Sequence, residues 1–176
     1  MLAVQSNLAV TYEKLGRAEE SMSMRRDVYS GRLRLSGEEH EQTLLAANNY
    51  ANSLVKLQRH AEAMSVLRKM MPVVRRVLGD SHEYTLRLRY NYGEALFCDD
   101  AATLDDLREA VTMFEDTERI ARRVLGGAHP TTVEIEDSLK NSRAVLRARE
   151  SLLAQYLLYG ASALAIAAFA WSRRSR

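Results

Sequence analysis

The sequence predicts an all-α protein built from stacked helix pairs. One segment occurs in three versions among the 176 residues: LSGEEHEQTL (35–44), VLGDSHEYTL (77–86) and VLGGAHPTTV (124–133). Its histidines, His40, His82 and His129, lie 42 and then 47 residues apart, and its glycines and threonines keep the same spacing. A period of this length is typical of proteins in which two-helix units stack side by side. The small number of glycines and prolines, eight and two, also favours long helices.

Each unit contains two amphipathic segments. In the second unit, apolar residues recur at steps of three and four over 41–57 and again over 61–78. This spacing places them on one face of a helix. We expect the first helix to bury Leu44 and Leu54 and the second to bury Val77. The repeated segment then falls between units, where its glycine ends one helix and its histidine and threonine start the next.

The third unit is five residues longer than the second, and the extra residues fall around 99–103. Thr103 is followed three residues later by Asp106, which is the spacing of a capping box at the start of a helix. The second helix of this unit is therefore predicted to begin directly after Thr103.

Composition excludes several classes of function. A net charge of +2 is too small for a nucleic-acid-binding protein, so recurring pairs such as Arg75 and Arg76 are expected on a solvated outer face. The single cysteine, Cys98, cannot form an internal disulfide, which fits a reducing compartment. The first residues lack the basic and apolar regions of a secretory signal peptide. These observations favour a cytoplasmic protein.

No catalytic site, metal site or cofactor is predicted. The three histidines of the repeated segment cannot share one zinc ion, because zinc–nitrogen bonds are about 2.1 Å long and packed helices lie about 8–10 Å apart. The phosphate-loop, metalloprotease and nucleophile-elbow motifs do not occur in the sequence. Carboxylate pairs such as Asp105 and Asp106 fall at turns and first helical turns, where solvated surface charge explains them. We therefore expect a non-enzymatic protein.

Three segments resemble the tetratricopeptide repeats of kinesin light chains. They are NLAVTYEKLGRAEES (7–21), NYANSLVKLQRHAEAMSVLRKM (49–70) and the VLGDSHEYTL segment described above. The resemblance covers about residues 2–149. The third unit departs from the family pattern, because it lacks the short GR turn and has Gly93 where alanine is usual.

The resemblance implies a right-handed superhelix of antiparallel helix pairs, in which the first helices of the units line a concave groove that binds an extended peptide. Carried over by position, the groove contains Asn48, Asn52, Arg87, Tyr90 and Glu94. Ser6, Val10, Glu13, Leu45, Val55 and Phe97 belong to the same side. Asparagine amides can both donate to and accept from a peptide backbone, Arg87 would pair with an acidic side chain, and Tyr90 would cover an apolar one.

The C-terminal segment is predicted to be a hydrophobic helix. No charged residue occurs from 151 to 172, and about 20 apolar residues span the core of a bilayer. We expect residues 152–171 to anchor the protein in a membrane, with Tyr156 and Trp171 near the two interfaces. In the alternative, the chain is a fragment of a larger soluble scaffold of the kinesin light chain type, whose C-terminal helix caps the superhelix.

The predicted organisation is a repeat domain, 1–149, followed by a hydrophobic tail with basic residues at its end, 150–176. The repeat units are expected at about 1–40, 41–82 and 83–129, with a last helix at 130–149. The predicted function is that of an adaptor on the cytosolic face of an organelle membrane, and its partner is a protein or a peptide.

Overall fold

The computed structural model describes the backbone of residues 1–174 and the side chains of residues 1–158, and its described part is entirely helical. The helices are α1 (Leu2–Lys14), α2 (Ala18–Ser36), α3 (Glu41–Lys56), α4 (His60–Leu78), α5 (Glu83–Phe97), α6 (Leu104–Val124) and α7 (Pro130–Arg174). Each helix packs against the next one in the chain. We call α1, α3, α5 and α7 the A helices and α2, α4 and α6 the B helices.

The prediction of an all-α fold made of helix pairs is confirmed. In the second unit, α3 begins at Glu41 and α4 ends at Leu78, as the apolar spacing predicts. Leu44 and Leu54 are fully buried, also as predicted. The prediction for Val77 is wrong: its side chain is 39% exposed, and Val73 is buried instead. Val77 lies in the last turn of α4, which turns towards solvent.

The repeated segment joins the end of each B helix to the start of the next A helix. In the second copy, Gly79 adopts a positive φ of 83°, which few residues other than glycine tolerate, and ends α4. Nδ1 of His82 then accepts a hydrogen bond of 3.2 Å from the backbone N–H of Tyr84 and caps α5. His40 and His129 accept the equivalent bonds. The threonine hydroxyl of Thr85 donates to the Gly79 carbonyl at 2.7 Å and closes the turn.

The predicted insertion in the third unit is confirmed. Thr103 and Asp106 form a capping box, and α6 begins at the following residue, Leu104. The Thr103 backbone N–H donates to the Asp106 carboxylate at 2.8 Å. Hydrogen bonds from Thr103 lower the pKa of Asp106. The longer connection therefore ends in a well-defined helix start.

The departure at Gly93 is matched by a change in the helix that packs on it. A Cβ atom at Gly93 would lie 2.7 Å from Cε1 of Phe114, whose side chain is fully buried in α6. In the second unit the corresponding pair is Ala51 and Leu67, both also fully buried. The third unit thus combines a smaller residue on the A helix with a larger one on the B helix, and the core stays filled.

The α7 end of the stack has a charged face. Leu44 and Leu54 of α3 face α4 and are fully buried, whereas the residues that correspond to them in α7 are Val133 and Arg143, both exposed. Arg143 instead pairs with Glu115 of α6 at 2.6 Å. This face is therefore polar where the preceding A helices are apolar.

The α1 end of the stack has an apolar face. Val4 and Leu8 of α1 are exposed, whereas the corresponding residues of α3, Ala46 and Tyr50, are buried on the side of α2. The ring of Tyr50 stacks on Tyr29 of α2 with 6.2 Å between the ring centroids. The two ends of the stack thus differ in polarity.

The last repeat helix and the predicted C-terminal helix form one continuous helix, α7. No glycine or proline occurs between Pro130 and Gly160 to interrupt the helix. The division into a repeat domain and a tail at 149/150 stays a prediction. Among the residues that the structure describes, no helix combines the length and the apolar character needed to cross a membrane. Residues 159–171 of the predicted anchor lie outside the residues whose side chains are described.

Candidate functional site: the inner face of the A helices

The A helices form one side of the stack. The backbones of α3 and α5, and those of α5 and α7, approach within 8 Å, whereas within the described part of the chain no two B helices come that close. Helices α2 and α4 meet only through longer side chains, as where the Tyr29 hydroxyl donates to Sδ of Met70 at 3.4 Å. From α3 to α7, the A helices therefore lie closer together than the B helices, as on the inside of a curve. We call this side the inner face, and it carries the predicted groove residues.

Asn48 connects two A helices. Its side chain is only 3% exposed, and its Oδ1 accepts a hydrogen bond of 3.0 Å from Nδ2 of Asn91. Asn48 was predicted to contact a ligand directly, but its buried side-chain oxygen is hydrogen-bonded to α5. Asn48 is therefore better described as a residue that positions α3 against α5.

Tyr90 and Ser138 repeat this contact between the next two A helices. They occupy the positions of Asn48 and Asn91 one unit later, and Ser138 interacts with the Tyr90 hydroxyl. The Tyr90 ring is half-buried, with its centroid 6.1 Å from that of Phe114. Burial, followed by the negative charge of Glu94, raises the pKa of Tyr90 to about 12. Tyr90 thus presents part of a neutral aromatic ring to the inner face.

Glu94 lies one helical turn after Tyr90. Its Oε1 atom is inaccessible to solvent and has no hydrogen-bond donor within the described part of the chain. Its Oε2 atom receives only a weak hydrogen bond, 3.7 Å long, from the thiol of Cys98. Burial and the nearby Glu94 carboxylate raise the pKa of Cys98 to about 11, so this exposed thiol is protonated at neutral pH.

The other predicted residues, Asn52 and Arg87, are more accessible. Asn52 is half-buried, and its amide has no hydrogen-bond partner among the described side chains. Arg87 is exposed and pairs with Glu83, one turn earlier, at 3.0 Å. An intrahelical pair at this exposure is weak, at about 0.3–0.5 kcal/mol, so a ligand can displace it.

In the first unit, the inner face contains an ion-pair cluster. Glu13 pairs with Lys56 at 2.6 Å and with Arg25, whose side chain is largely buried. Arg25 also donates to the hydroxyl of Ser53 at 3.0 Å. The hydrogen bond from Lys56 is the main cause of the lowered pKa of Glu13, which burial partly opposes. Glu13 therefore holds units one and two together, and its carboxylate is already neutralised.

A large cleft lies elsewhere, between α6 and α7, and has a volume of about 620 Å³. Its wall contains the acidic residues Glu115, Glu118 and Glu136 and the basic residues Arg119, Arg122, Lys140, Arg143 and Arg147. Arg122 pairs with both Glu118 and Glu136. Arg119 and Arg143 are paired as well, whereas Lys140 and Arg147 have no ion pair among the described residues, so the cleft keeps a small excess of positive charge.

The partners of the inner-face residues are not among the residues predicted from the sequence. Asn91 belongs to a column of asparagines that recurs with the repeat, and this recurrence was a signal that could have marked it. Nothing in the local sequence marks Ser138, Lys56 or Arg25, because each meets its partner across two different helices.

The helix pairs, with their A helices packed on one side, define a protein of the helical-repeat class. Comparisons with known proteins show which repeats this fold resembles. The model of the tetratricopeptide repeat family matches residues 1–72. A variant of the kinesin light chain nearly identical tetratricopeptide-like repeats of Podosopora anserina is similar over 90% of this chain and 91% of its own, with 19% identity and a TM-score of 0.50.

BtubC (BKLC) from P. vanneervenii is similar over 85% of this chain and 64% of its own, with 13% identity and a TM-score of 0.54. At these identities the likeness concerns the fold. No curated protein sequence matches the chain. The family match over residues 1–72 and these likenesses show that the chain has the fold of tetratricopeptide-like helix repeats.

Proposed function

We propose that this chain is a non-enzymatic adaptor that binds an extended segment of a partner protein on the inner face of its A helices. The observation that supports this most is the set of functional groups that Asn52, Tyr90 and Glu94 contribute to the inner face. They lie on successive A helices of one face, and they retain an amide, part of an aromatic ring and a carboxylate whose one donor among the described residues is the Cys98 thiol at 3.7 Å. Backbone amides and side chains of an extended peptide are the natural partners of such groups.

A selection experiment tests this proposal. A library of random peptides displayed on phage is selected on the immobilised full-length chain, and the enriched peptides are titrated against variants. Asn52→Ala and Tyr90→Ala should each weaken binding by about 1–2 kcal/mol, which is the usual cost of losing one hydrogen bond or ring contact in a binding site. Asn52 is partly exposed, so its loss should leave the fold intact. Tyr90→Ala also loses the ring contact with Phe114 and the interaction with Ser138, so circular dichroism is used to check that this variant is folded.

The matched control is Lys69→Ala, which removes an exposed side chain from α4 on the opposite side. This variant should bind as the parent does. If the peptides instead lose affinity with Lys69→Ala and bind the inner-face variants normally, the partner occupies the B helices and the proposal is wrong.

We also propose that residues 152–171 attach this adaptor to a membrane, with the repeats, 1–149, on the cytosolic side. The support is the uncharged sequence from 151 to 172 together with the exposed apolar side chains at its start, Leu152, Tyr156 and Leu157. Their exposure leaves apolar surface in water that a lipid environment would cover.

Substitution within the tail tests the attachment. Ala161→Arg combined with Leu164→Arg should release the full-length protein from membranes washed with alkaline carbonate, because each central arginine costs about 2.5–3.5 kcal/mol of insertion free energy. Ala148→Arg, in the exposed part of α7 before the tail, is the control and should stay in the membrane fraction. A parent protein that needs neither detergent nor lipid would instead favour the alternative, a soluble scaffold fragment whose last helix caps the superhelix.

A further inference from the structure

We propose that the inner face between α5 and α7 selects a positively charged side chain, lysine or arginine, of the bound segment, with the Glu94 carboxylate as its acceptor. This inference rests on the proposed inner-face binding and adds the chemistry of one position of the ligand. It differs from the expectation drawn from Arg87, which would pair with an acidic side chain.

The first support is the state of the Glu94 carboxylate. One oxygen is buried without a donor, and the other has only the weak thiol donor of Cys98 at 3.7 Å. Burying a carboxylate oxygen without a hydrogen bond is costly, and a charged donor is the strongest group that can relieve this cost. Glu13, on the same face of α1, has two such donors in Lys56 and Arg25. Among the described residues, Glu94 has no such cationic donor.

The second support is the electrostatic environment of the neighbouring groups. The negative charges of Glu94 and Glu134 both act on the Tyr90 hydroxyl, and Glu94 also acts on the Cys98 thiol. No basic residue is among the groups that perturb either side chain. The only basic residue among the predicted groove positions, Arg87, is already paired with Glu83 at 3.0 Å. A ligand that reaches this part of the inner face therefore meets uncompensated negative charge.

The third support is the aromatic ring beside the carboxylate. Tyr90 lies one turn before Glu94 on α5 and is half-buried, so part of its ring remains available. An aromatic face and a carboxylate together suit a lysine or arginine side chain, because the ring attracts the cation and covers its methylene groups. At the corresponding position of α3 the residue is Asn52, which is neutral. The preference is therefore confined to one part of the inner face.

Cys98 is the only cysteine of the chain and lies beside Glu94, so its reaction rate reports the local potential. The full-length protein is treated at low ionic strength with two methanethiosulfonate reagents, one carrying a trimethylammonium group and one a sulfonate. The cationic reagent should react faster than the anionic one, relative to free cysteine, and Glu94→Gln should reduce this ratio about three- to tenfold. The raised pKa of the thiol slows both reagents equally, so it cancels in the ratio.

The matched control is Glu19→Gln, which removes one exposed acidic charge from α2, a helix that does not contact α5. It should leave the ratio unchanged. A ratio that equals that of free cysteine, or that Glu94→Gln does not alter, would overturn the inference and leave the proposed inner-face binding in place.

A second measurement uses two fluorescent peptides, one of alternating lysine and serine and one of alternating glutamate and serine. Tighter binding of the lysine peptide, with the difference lost in Glu94→Gln and kept in Glu19→Gln, would support the inference. Equal or tighter binding of the glutamate peptide would overturn it. If the reagents show the cation preference but Tyr90→Ala and Asn52→Ala leave peptide binding unchanged, the proposed function fails while the cation preference stands.

Discussion

Replacing Gly93 with alanine is expected to lower the free energy of unfolding by about 1–3 kcal/mol, because the core at this position is already full. The added Cβ would lie 2.7 and 2.8 Å from two ring atoms of Phe114, and this ring is fully buried and has no space to move into. The better helix propensity of alanine, about 1 kcal/mol, offsets only part of this cost. Thermal and urea denaturation followed by circular dichroism would measure the change.

Gly31→Ala is the matched control for Gly93→Ala. A Cβ atom at Gly31 would come equally close, 2.8 Å, to a side chain, but this neighbour is Leu2 at the partly exposed start of α1. Leu2 can move, so Gly31→Ala should be neutral or slightly stabilising. Adding Phe114→Leu should restore the stability that Gly93→Ala loses, because the smaller side chain leaves room for the Cβ atom. The double variant then contains the alanine–leucine pair that Ala51 and Leu67 form in the second unit. Additive losses in the double variant would contradict this account.

Replacing Asn48 with alanine is expected to lower the free energy of unfolding by about 1–3 kcal/mol, because it leaves the buried amide of Asn91 without its acceptor. Both side chains are at most 4% exposed, so water has little access to replace the lost bond. Exchanging both residues for leucine should cost less than the single change, since no polar group then remains unpaired. Urea denaturation of the single and double variants measures the coupling between the two positions.

Asn52→Ala provides the contrast, since Asn52 lies one turn later on the same helix and has no partner among the described side chains. Its replacement should leave the stability within about 0.5 kcal/mol of the parent. If Asn48→Ala is as stable as Asn52→Ala, the hydrogen bond between α3 and α5 does not contribute to the fold, and Asn48 returns to the group of candidate ligand contacts.

Local features of this fold could be predicted from the sequence, because the residues that determine them are close in the chain. The capping box of Thr103 and Asp106 spans four residues, and the turn from Gly79 to Thr85 spans seven. The ends of α3 and α4 follow from such local signals together with the apolar spacing. The role of the three histidines as helix caps is likewise local, although the sequence alone gives only their position before each A helix.

The candidate site was predicted less completely, because its geometry depends on contacts between units. The sequence places Asn48 and Asn52 one turn apart on the same helix, and nothing near them distinguishes a buried amide from an accessible one. The distinction comes from Asn91, which is 43 positions away in the chain. Glu13 meets Lys56 over a similar distance. Helical periodicity determines which face a residue lies on, but not which residue of a neighbouring helix it meets.

The difference in polarity between the two ends of the stack affects how copies of the chain can associate. An open fibre forms when one end of a molecule fits the other end of the next. Here the α1 end is apolar through Val4 and Leu8, whereas the α7 end presents Arg143 and its partner Glu115. Head-to-tail growth would have to remove this ion pair from water against an apolar surface, which is unfavourable. Contact between these two faces of the described part of the chain is therefore disfavoured, although each repeat packs against another.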